Sequence, residues 1–278
     1  MSSDVIDRLE KRAGADPRRV VLPEAHEEKI LRAAREVKER GLALPLLVGE
    51  PEAVRAAGDA AGVSLDGIPI IDHTDEAKAD YFASRFAEAN PDYTARSIKR
   101  MLKNPLNFAA MMVKFDEADC MVAGLSHTTG EVIMAGQMIL GLTEGISTVS
   151  SMGILSIPGY EGTEGNLLAI ADCAVCAAPG PTELADIAIS TSDTVKTLLG
   201  WEPRVALLSF STKGSASHER VDMILEALGL VRERRPDILI DGELQLDAAI
   251  VPEVAAKKVM EESLVAGRAN VLIFPDLE

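Results

Sequence analysis

The sequence contains no run of 18 apolar residues, and its N-terminus lacks the basic and apolar segments of a secretory leader. A membrane-spanning helix needs about 20 mostly apolar residues, and a signal peptide needs both of those segments. Cysteine is also scarce, since only positions 120, 173 and 176 carry it. An odd number of cysteines without an export signal indicates reduced thiols. We therefore expect a soluble, cytoplasmic protein.

Basic residues are few as well. The sequence has 28 Lys and Arg residues against 44 Asp and Glu residues, which gives a formal net charge of −16. A chain this acidic repels a nucleic-acid backbone or an anionic membrane as a whole. We therefore predict neither nucleic acid nor membrane as a partner. Any anion that the protein binds must be held by a local cluster of donors.

Short aliphatic runs alternate with amphipathic segments along the whole chain, as in "RRVVLP" followed by "EAHEEKILRAAREVKERG". This alternation is typical of βα units and predicts an α/β fold with a mostly parallel sheet. A stretch rich in Gly, Ser and Thr interrupts the pattern, which then begins again. We place a domain boundary there, with one α/β domain over residues 1–148 and a second over residues 149–278.

One polar loop follows a predicted strand in the string "RVALLSFSTKGS". Backbone N–H groups at a strand end and helix start can bind an anion, and a lysine adds a point charge. An ordinary helix start with a hydroxyl cap would have the same composition. The candidate anion-binding residues of this loop are Ser209, Ser211, Thr212, Lys213, Gly214 and Ser215.

A second polar strand end is "AGLSHTT", which supplies Ser126, His127, Thr128 and Thr129. Ligands of open α/β sheets bind outside the carboxyl ends of the strands, which makes these four residues candidates for a binding site. By itself, His127 is equally consistent with a structural hydrogen-bonding residue.

The acidic segment "IDGELQLD" supplies Asp241, Glu243 and Asp247. Such carboxylates could bind Mg²⁺ or act as a general base, but no second carboxylate set lies at a fixed ligand spacing. A solvated or intersubunit acidic loop is the alternative. We predict no metal site.

Several other patterns are interpreted as structural. "CAVC" lacks a second ligand pair at zinc spacing and indicates a buried strand end. Methionines in amphipathic helices usually fill the core, and we expect this of Met111, Met112, Met134 and Met138. The glycines of "GYEGTEG" do not match a dinucleotide-binding motif, and "STKGS" lacks the first glycine of a P-loop.

Taken together, the strings resemble the phosphate acetyl/butyryl transferase family, and in particular its phosphate acetyltransferase branch. The resemblance depends on "VLPE" at 21–24, "NPLNFAAMMVK" at 104–114, "VAGLSHTT" at 122–129, "LSFSTKGSA" at 208–216 and "IDGELQLDAAIVPEVAA" at 240–256. The last two are long and specific, and the order of the strings covers nearly the whole chain.

The resemblance implies two three-layer α/β/α domains with an interdomain cleft, as in isocitrate and isopropylmalate dehydrogenases, and a homodimer formed through the second domain. It also implies the reaction of acetyl-CoA and phosphate to give CoA and acetyl phosphate. In this reaction the CoA thiolate attacks the acyl carbonyl within a ternary complex. Coenzyme A is a substrate, and neither a metal nor an organic prosthetic group is implied.

The chain also departs from the family pattern. Met134 and Ala135 stand where the family usually has an Arg-Pro pair, whose arginine helps to bind the substrate's anion. Arg85 aligns with the other family arginine and is a candidate substrate-binding residue, and an ordinary surface arginine of a helix is the alternative. The family also continues past the position of Glu278 into a segment that completes the first domain and supplies a catalytic Ser, Arg and Asp. The catalytic residues of this sequence are therefore unassigned.

These departures leave alternative functions open. A chain that ends at Glu278 is expected to show little or no acetyl transfer. One alternative is a phosphate butyryltransferase or another acyl-phosphate transferase. The other is a non-catalytic paralogue, or truncated inactive form, that binds CoA or phosphate.

Overall fold

The computed structural model describes residues 4–277. These residues form two compact units, and the boundary between the units along the chain lies between Gly141 and Leu142. The segment after Gly141 packs within the second unit because polar bonds anchor it there. Both the backbone N–H and the hydroxyl of Ser147 donate to Asp186, and Arg234 donates to the carbonyl of Gly145. The chain therefore passes between the units slightly before residue 148, where the composition changes.

The first unit is built on a four-stranded parallel sheet in the order β3-β2-β1-β4. Its strands are β1 (Arg18–Leu22), β2 (Ala43–Val48), β3 (Ile70–Ile71) and β4 (Cys120–Met121). Its helices are α1 (Asp4–Ala15), α2 (Glu28–Glu39), α3 (Pro51–Ala61), α4 (Glu76–Ala89), α5 (Ala95–Met101), α6 (Pro105–Lys114) and α7 (Thr129–Ala135). A π-helical turn over Gly136–Leu140 continues α7.

Two separate cores cover the two faces of this sheet. Leu22 of β1 belongs to a buried cluster with Leu31 of α2 and Val54 of α3. Its neighbour Val21 belongs to another cluster, which contains Phe82 of α4 and several buried side chains of α6. Because successive side chains of a strand point to opposite faces, α2 and α3 cover one face of the sheet and α4 and α6 cover the other.

The edge strand β4 is short, and an ion pair fixes it against β1. Arg19 donates to Asp119 through its backbone N–H at 2.7 Å and through its guanidinium at 2.7 and 3.2 Å. These bonds lower the pKa of Asp119 to about 2. Two strands that run parallel end at the same edge of the sheet, so the polar segments after β1 and β4 lie side by side.

The second unit contains a five-stranded sheet in the order β5-β6-β9-β7-β8, in which only β5 is antiparallel to its neighbour. The strands are β5 (Met152–Ser156), β6 (Leu167–Ala171), β7 (Arg204–Leu208), β8 (Leu239–Leu244) and β9 (Val271–Ile273). The helices are α8 (Pro181–Thr194), α9 (Glu219–Arg234), α10 (Leu246–Ile250) and α11 (Pro252–Lys258), with a π-helical turn over Val195–Leu199 after α8.

The core of the second unit is mostly aliphatic. Ala206 and Leu208 of β7 pack with Leu272 of β9 and Ala248 of α10 in one buried cluster. Helix α8 contacts β6, β7 and β9, and α9 contacts β8. The predicted mixed α/β fold with parallel sheets is therefore confirmed. Within residues 4–277, no helix is both long and apolar enough to span a bilayer.

Candidate functional site

In the first unit, a buried carboxylate organises the loop after β4. Glu24 follows β1 and is fully buried. Its two oxygens accept hydrogen bonds from the backbone N–H groups of four consecutive residues, at 2.9 to 3.2 Å: Gly124, Leu125, Ser126 and His127. The Ser126 hydroxyl adds a further bond at 3.3 Å. We call residues 124–128 the GLSHT loop.

This arrangement is an anion nest that is already filled by the protein's own carboxylate. Burial alone would raise the pKa of Glu24, but the hydrogen bonds from Leu125, His127 and Ser126 outweigh it and lower the pKa far below its usual value. Glu24 is therefore ionised. Gly124 begins the loop at φ +118°, a conformation that glycine adopts without strain.

The ring of His127 is held by the same carboxylate. Its Nδ1 lies 2.9 Å from Glu24 Oε1, and the side chain is 18% exposed. An ionised carboxylate only accepts hydrogen bonds, so Nδ1 carries a proton and donates a hydrogen bond to Glu24. The other ring nitrogen, Nε2, makes no hydrogen bond with Glu24. Thr128 caps α7 through a reciprocal pair of bonds with Glu131, and Thr129 is exposed.

In the second unit, the loop after β7 is organised in the same way by a carboxylate on the neighbouring strand β8. The buried hydroxyl of Ser211 and the backbone N–H of Gly214 each donate to Glu243 Oε1 at 2.8 Å. Thr212 is buried as well, and its hydroxyl accepts from the backbone N–H of Gln245 at 2.9 Å. We call residues 209–215 the SFSTKGS loop.

Lys213 is turned towards the protein. Its Nζ donates to Asp241 at 2.5 Å and to the carbonyl of Gly242 at 3.0 Å. Burial raises the pKa of Asp241, whereas hydrogen bonds from Lys213 and Ser263 lower it more, so the pKa lies below its usual value. Lys213 adopts φ +48°, which is uncommon for a residue with a side chain, and Gly214 follows at φ +79°.

We expected the backbone N–H groups of both loops to point outward towards an anion. Most of them instead donate hydrogen bonds within the protein. In and just after the SFSTKGS loop, six consecutive N–H groups, from Ser211 to Ala216, donate to acceptors within the protein. In the GLSHT loop, the N–H groups of residues 124–127 donate to Glu24 and that of Thr128 donates to Glu131. The two loops and the adjoining Thr129 expose side chains instead, including Ser126, Phe210 and Ser215.

Arg85 is placed elsewhere on the first unit. Its guanidinium lies over the rings of Tyr81 and Phe115, at 5.4 and 4.8 Å from their centroids, and it donates to the Tyr81 hydroxyl at 2.5 Å. Within the described residues, no hydrogen bond or ion pair joins it to the GLSHT loop. Met134 of α7 is 66% exposed, so the prediction that it fills the core is wrong.

The acidic segment is not solvated as one interpretation expected. Asp241 and Glu243 are buried because they belong to β8, whereas Asp247 lies in the first turn of α10 and pairs with Lys258 at 2.8 Å. Residues 4–277 contain no group of three or more His, Cys, Asp or Glu side chains that could hold a metal ion. The partners of Asp241 and Glu243 show that these two carboxylates support the SFSTKGS loop.

A third buried carboxylate supports the strand end at "CAVC". Asp172 follows β6 and accepts bonds from the backbone N–H groups of Ala174, Val175 and Cys176 at 2.8 to 3.2 Å. Cys173 is exposed, contrary to the expectation of a buried strand end. Burial, followed by the charge of Asp172, raises the thiol pKa of Cys173 and Cys176, so neither is an activated nucleophile.

Sequence reasoning missed the supporting role of Glu24 and Glu243. Both residues stood in strings that carry the family resemblance, "VLPE" and "IDGELQLDAA". The available signal was the pairing of a buried acidic residue with a polar loop on the neighbouring parallel strand. That signal needs the order of the strands, which one sequence does not provide.

Comparisons with known proteins agree with the resemblance. The family model described as "Phosphate acetyl/butaryl transferase" matches residues 4–278. A phosphate acetyltransferase of Thermoanaerobacterium thermosaccharolyticum is 43% identical over 99% of this chain and 83% of its own length. One from Clostridium acetobutylicum is 40% identical, again over 99% and 83%.

A solved structure supports the same assignment. The crystal structure of a phosphotransacetylase from Streptococcus pyogenes superposes with a TM-score of 0.90 at 35% sequence identity, over 100% of this chain and 83% of that one. The match at the level of both sequence and fold confirms the predicted family. The chain belongs to the phosphate acetyl/butyryl transferase family.

Proposed function

We propose that this protein is a phosphate acetyltransferase, an acyltransferase that interconverts acetyl-CoA and phosphate with CoA and acetyl phosphate. The observation that carries the proposal is the 36–43% identity to relatives named phosphate acetyltransferase over nearly the whole chain. Those names favour acetyl transfer over butyryl transfer and over a non-catalytic paralogue.

The polar loops suit this chemistry because hydrogen bonds within the protein fix their shapes. Phosphate is a good leaving group, so catalysis depends on orienting two polyanionic substrates and stabilising the oxyanion. A bare Glu24 would repel phosphate, but its hydrogen-bond donors offset part of its charge, and the ammonium group of Lys213 balances the charge of Asp241. We propose that substrate contacts come from exposed side chains, including Ser126, Thr129 and Ser215.

His127 is proposed to contact substrate through Nε2, since Glu24 holds the ring by Nδ1. A fixed tautomer gives this nitrogen one defined hydrogen-bonding role. The other candidate residues remain predicted members of the binding site: Arg85, Thr128, Ser209, Ser211, Thr212, Lys213 and Gly214. The buried ones among them are proposed to support the loops.

Further parts of the proposal follow from family membership. CoA and acetyl phosphate are the small-molecule partners, with no metal or additional cofactor, and the protein works as a cytoplasmic homodimer in acetate metabolism. The two units are proposed to correspond to the domains of an isocitrate dehydrogenase-like fold.

The proposal is tested by mixing the protein with acetyl phosphate and CoA and following the loss of free thiol. Because this chain covers 83% of the length of one such relative, the assay uses the protein as its natural reading frame encodes it, and also the 278-residue chain where the two differ. Turnover by the former is expected. Binding of CoA without turnover by either form would instead support the non-catalytic paralogue, and faster reaction with butyryl phosphate would support the butyryltransferase.

A further inference from the structure

Helix α5 carries a row of four cations in an otherwise acidic protein. Arg96 lies three and four residues before Lys99 and Arg100, and Lys103 lies four and three residues after them, so the four residues lie on one side of the helix and of the turn that follows it. The opposite face is apolar, with Ile98 and Leu102 buried in the core of the first unit. We call the four-residue row the α5 basic face.

Helix stability explains only part of this row. Lys99 and Arg100 lie in the last turn of α5, where the helix dipole favours cations. Arg96 lies in the first turn, where the dipole disfavours a cation and the chain supplies no acidic residue, and Arg100 is a like charge four residues away. The presence of Arg96 on this face therefore requires another reason.

Helix α2 of the same unit shows the opposite pattern. There two arginines of the helix and the C-cap residue Arg40 each pair with a glutamate four residues away: Arg32 with Glu28, Arg35 with Glu39, and Arg40 with Glu36. On the α5 basic face, Lys99 alone is paired, with Glu76 and Asp80 of α4 at 2.5 and 2.6 Å. Among residues 4–277, no ion pair involves Arg96, Arg100 or Lys103.

The four cations line a surface groove of about 460 Å³ together with Glu76, Asp80 and Ala95. This volume is within the range of small-molecule sites. Four positive charges exceed the two negative charges on the groove wall, so the groove is locally cationic in a chain with a net charge of −16.

We propose that this groove binds a linear oligophosphate, meaning two or more linked phosphate groups, either free or at the end of a nucleotide. Lys103 lies seven positions after Arg96, just beyond the end of α5, which spreads the cations over about 10 Å along the helix axis. A single small anion would contact only part of that length, whereas linked phosphates extend along it. Guanidinium groups also bind phosphate oxygens with two parallel bonds.

The composition of the groove narrows the class of ligand further. None of its lining residues is aromatic, so nothing in it would stack on a base. Recognition should therefore depend on the phosphates alone. The acidity of the whole chain disfavours a long nucleic acid, whose many charges would extend beyond the groove.

Calorimetry with inorganic triphosphate at about 50 mM salt tests the proposal. We expect triphosphate to bind at least about tenfold more tightly than orthophosphate, and ATP to bind within about threefold of triphosphate. Much tighter binding of ATP than of triphosphate would instead assign the nucleotide as the source of the phosphates. Equal affinity for orthophosphate and triphosphate, no binding of either, or tighter binding of single-stranded RNA would overturn the proposal.

The triple variant Arg96→Gln/Arg100→Gln/Lys103→Gln should lose at least about tenfold in triphosphate affinity. The control Lys11→Gln/Lys29→Gln/Arg55→Gln removes the same charge from exposed positions of other helices and should keep the affinity. An equal loss in both variants would show a general charge effect and contradict the proposal.

Two further measurements separate binding from folding. Because the triple variant changes only exposed side chains, and the relieved repulsion between Arg96 and Arg100 offsets the lost interaction of Arg100 with the helix dipole, its melting temperature should stay close to that of the wild type while its affinity falls. In the wild type, triphosphate should slow amide hydrogen exchange over Ala95–Met101 more than elsewhere. Unchanged exchange in this helix at saturating triphosphate would place the ligand at another site.

Discussion

The ring of His127 lies 2.9 Å from the carboxylate of Glu24, although 103 residues separate the two in the chain. The same carboxylate accepts the backbone N–H groups of the GLSHT loop, so one buried side chain determines both the path of the loop and the orientation of the ring. The predictions below follow from this relationship and from its counterpart at Glu243.

Replacement of Glu24 should destabilise the first unit strongly. Glu24→Ala leaves several buried N–H groups without acceptors, and we expect a loss of about 3–5 kcal/mol in the free energy of unfolding. Glu24→Gln keeps the shape but presents an amide donor to other donors, and should cost about 2 kcal/mol. Urea denaturation measures both. The half-exposed Glu27→Gln is the matched control, with an expected change below about 0.5 kcal/mol.

The contribution of Glu24 should also depend on pH. Its pKa is lowered by folding, so its stabilisation is fully present above the unfolded pKa of about 4.3 and is lost as the pH falls below that value. The difference in melting temperature between wild type and Glu24→Gln should therefore shrink between about pH 5 and pH 3. A difference that stays constant over this range would show that the carboxylate is not ionised in the folded protein.

Ser211→Ala should weaken the second unit and its loop. The hydroxyl is fully buried, donates to Glu243 and accepts from the backbone N–H of Ala216, so its removal leaves both groups unsatisfied. We expect a loss of about 1–3 kcal/mol in unfolding experiments and a lower kcat/KM in the thiol assay. The exposed Ser217→Ala is the control and should leave both unchanged. Equal effects of the two substitutions would contradict the loop geometry.

Substitutions at Lys213 separate the effect of its backbone conformation on stability from the effect of its charge. Any neutral residue leaves the buried Asp241 without its ammonium partner, at a cost of about 2–4 kcal/mol. Because φ at this position is +48°, Lys213→Gly should be about 1 kcal/mol more stable than Lys213→Ala, the reverse of the order in a helix. Thermal unfolding of the pair measures this difference, and greater stability of the alanine variant would exclude the left-handed conformation.

Local sequence patterns predicted the elements that position the site. The aliphatic runs "RRVVL" and "RVALL" form β1 and β7, and a polar loop follows β7 as expected. The buried supports were harder to predict, since nothing near Glu24 distinguishes it from the neighbouring Glu27, which is partly exposed. Its burial depends on a loop about one hundred residues away, and contacts at that separation are set by strand order rather than by local composition.

The methionines show the same limit on a smaller scale. Met111 and Met112 are buried on α6, as predicted, whereas Met134 is exposed on the seven-residue helix α7. A helix of two turns has too few positions for periodicity to identify its buried face. In this helix the small residue Ala135 is buried instead.

The carboxylate of Glu24 has a consequence for the folding of the GLSHT loop. It accepts the backbone N–H groups that could otherwise bind a phosphate, so the loop takes its shape during folding rather than during substrate capture. Refolding of the wild type should therefore not depend on inorganic phosphate in the medium. Refolding of a chain without Glu24 should depend on it, because phosphate would replace the carboxylate as the acceptor of the loop's N–H groups.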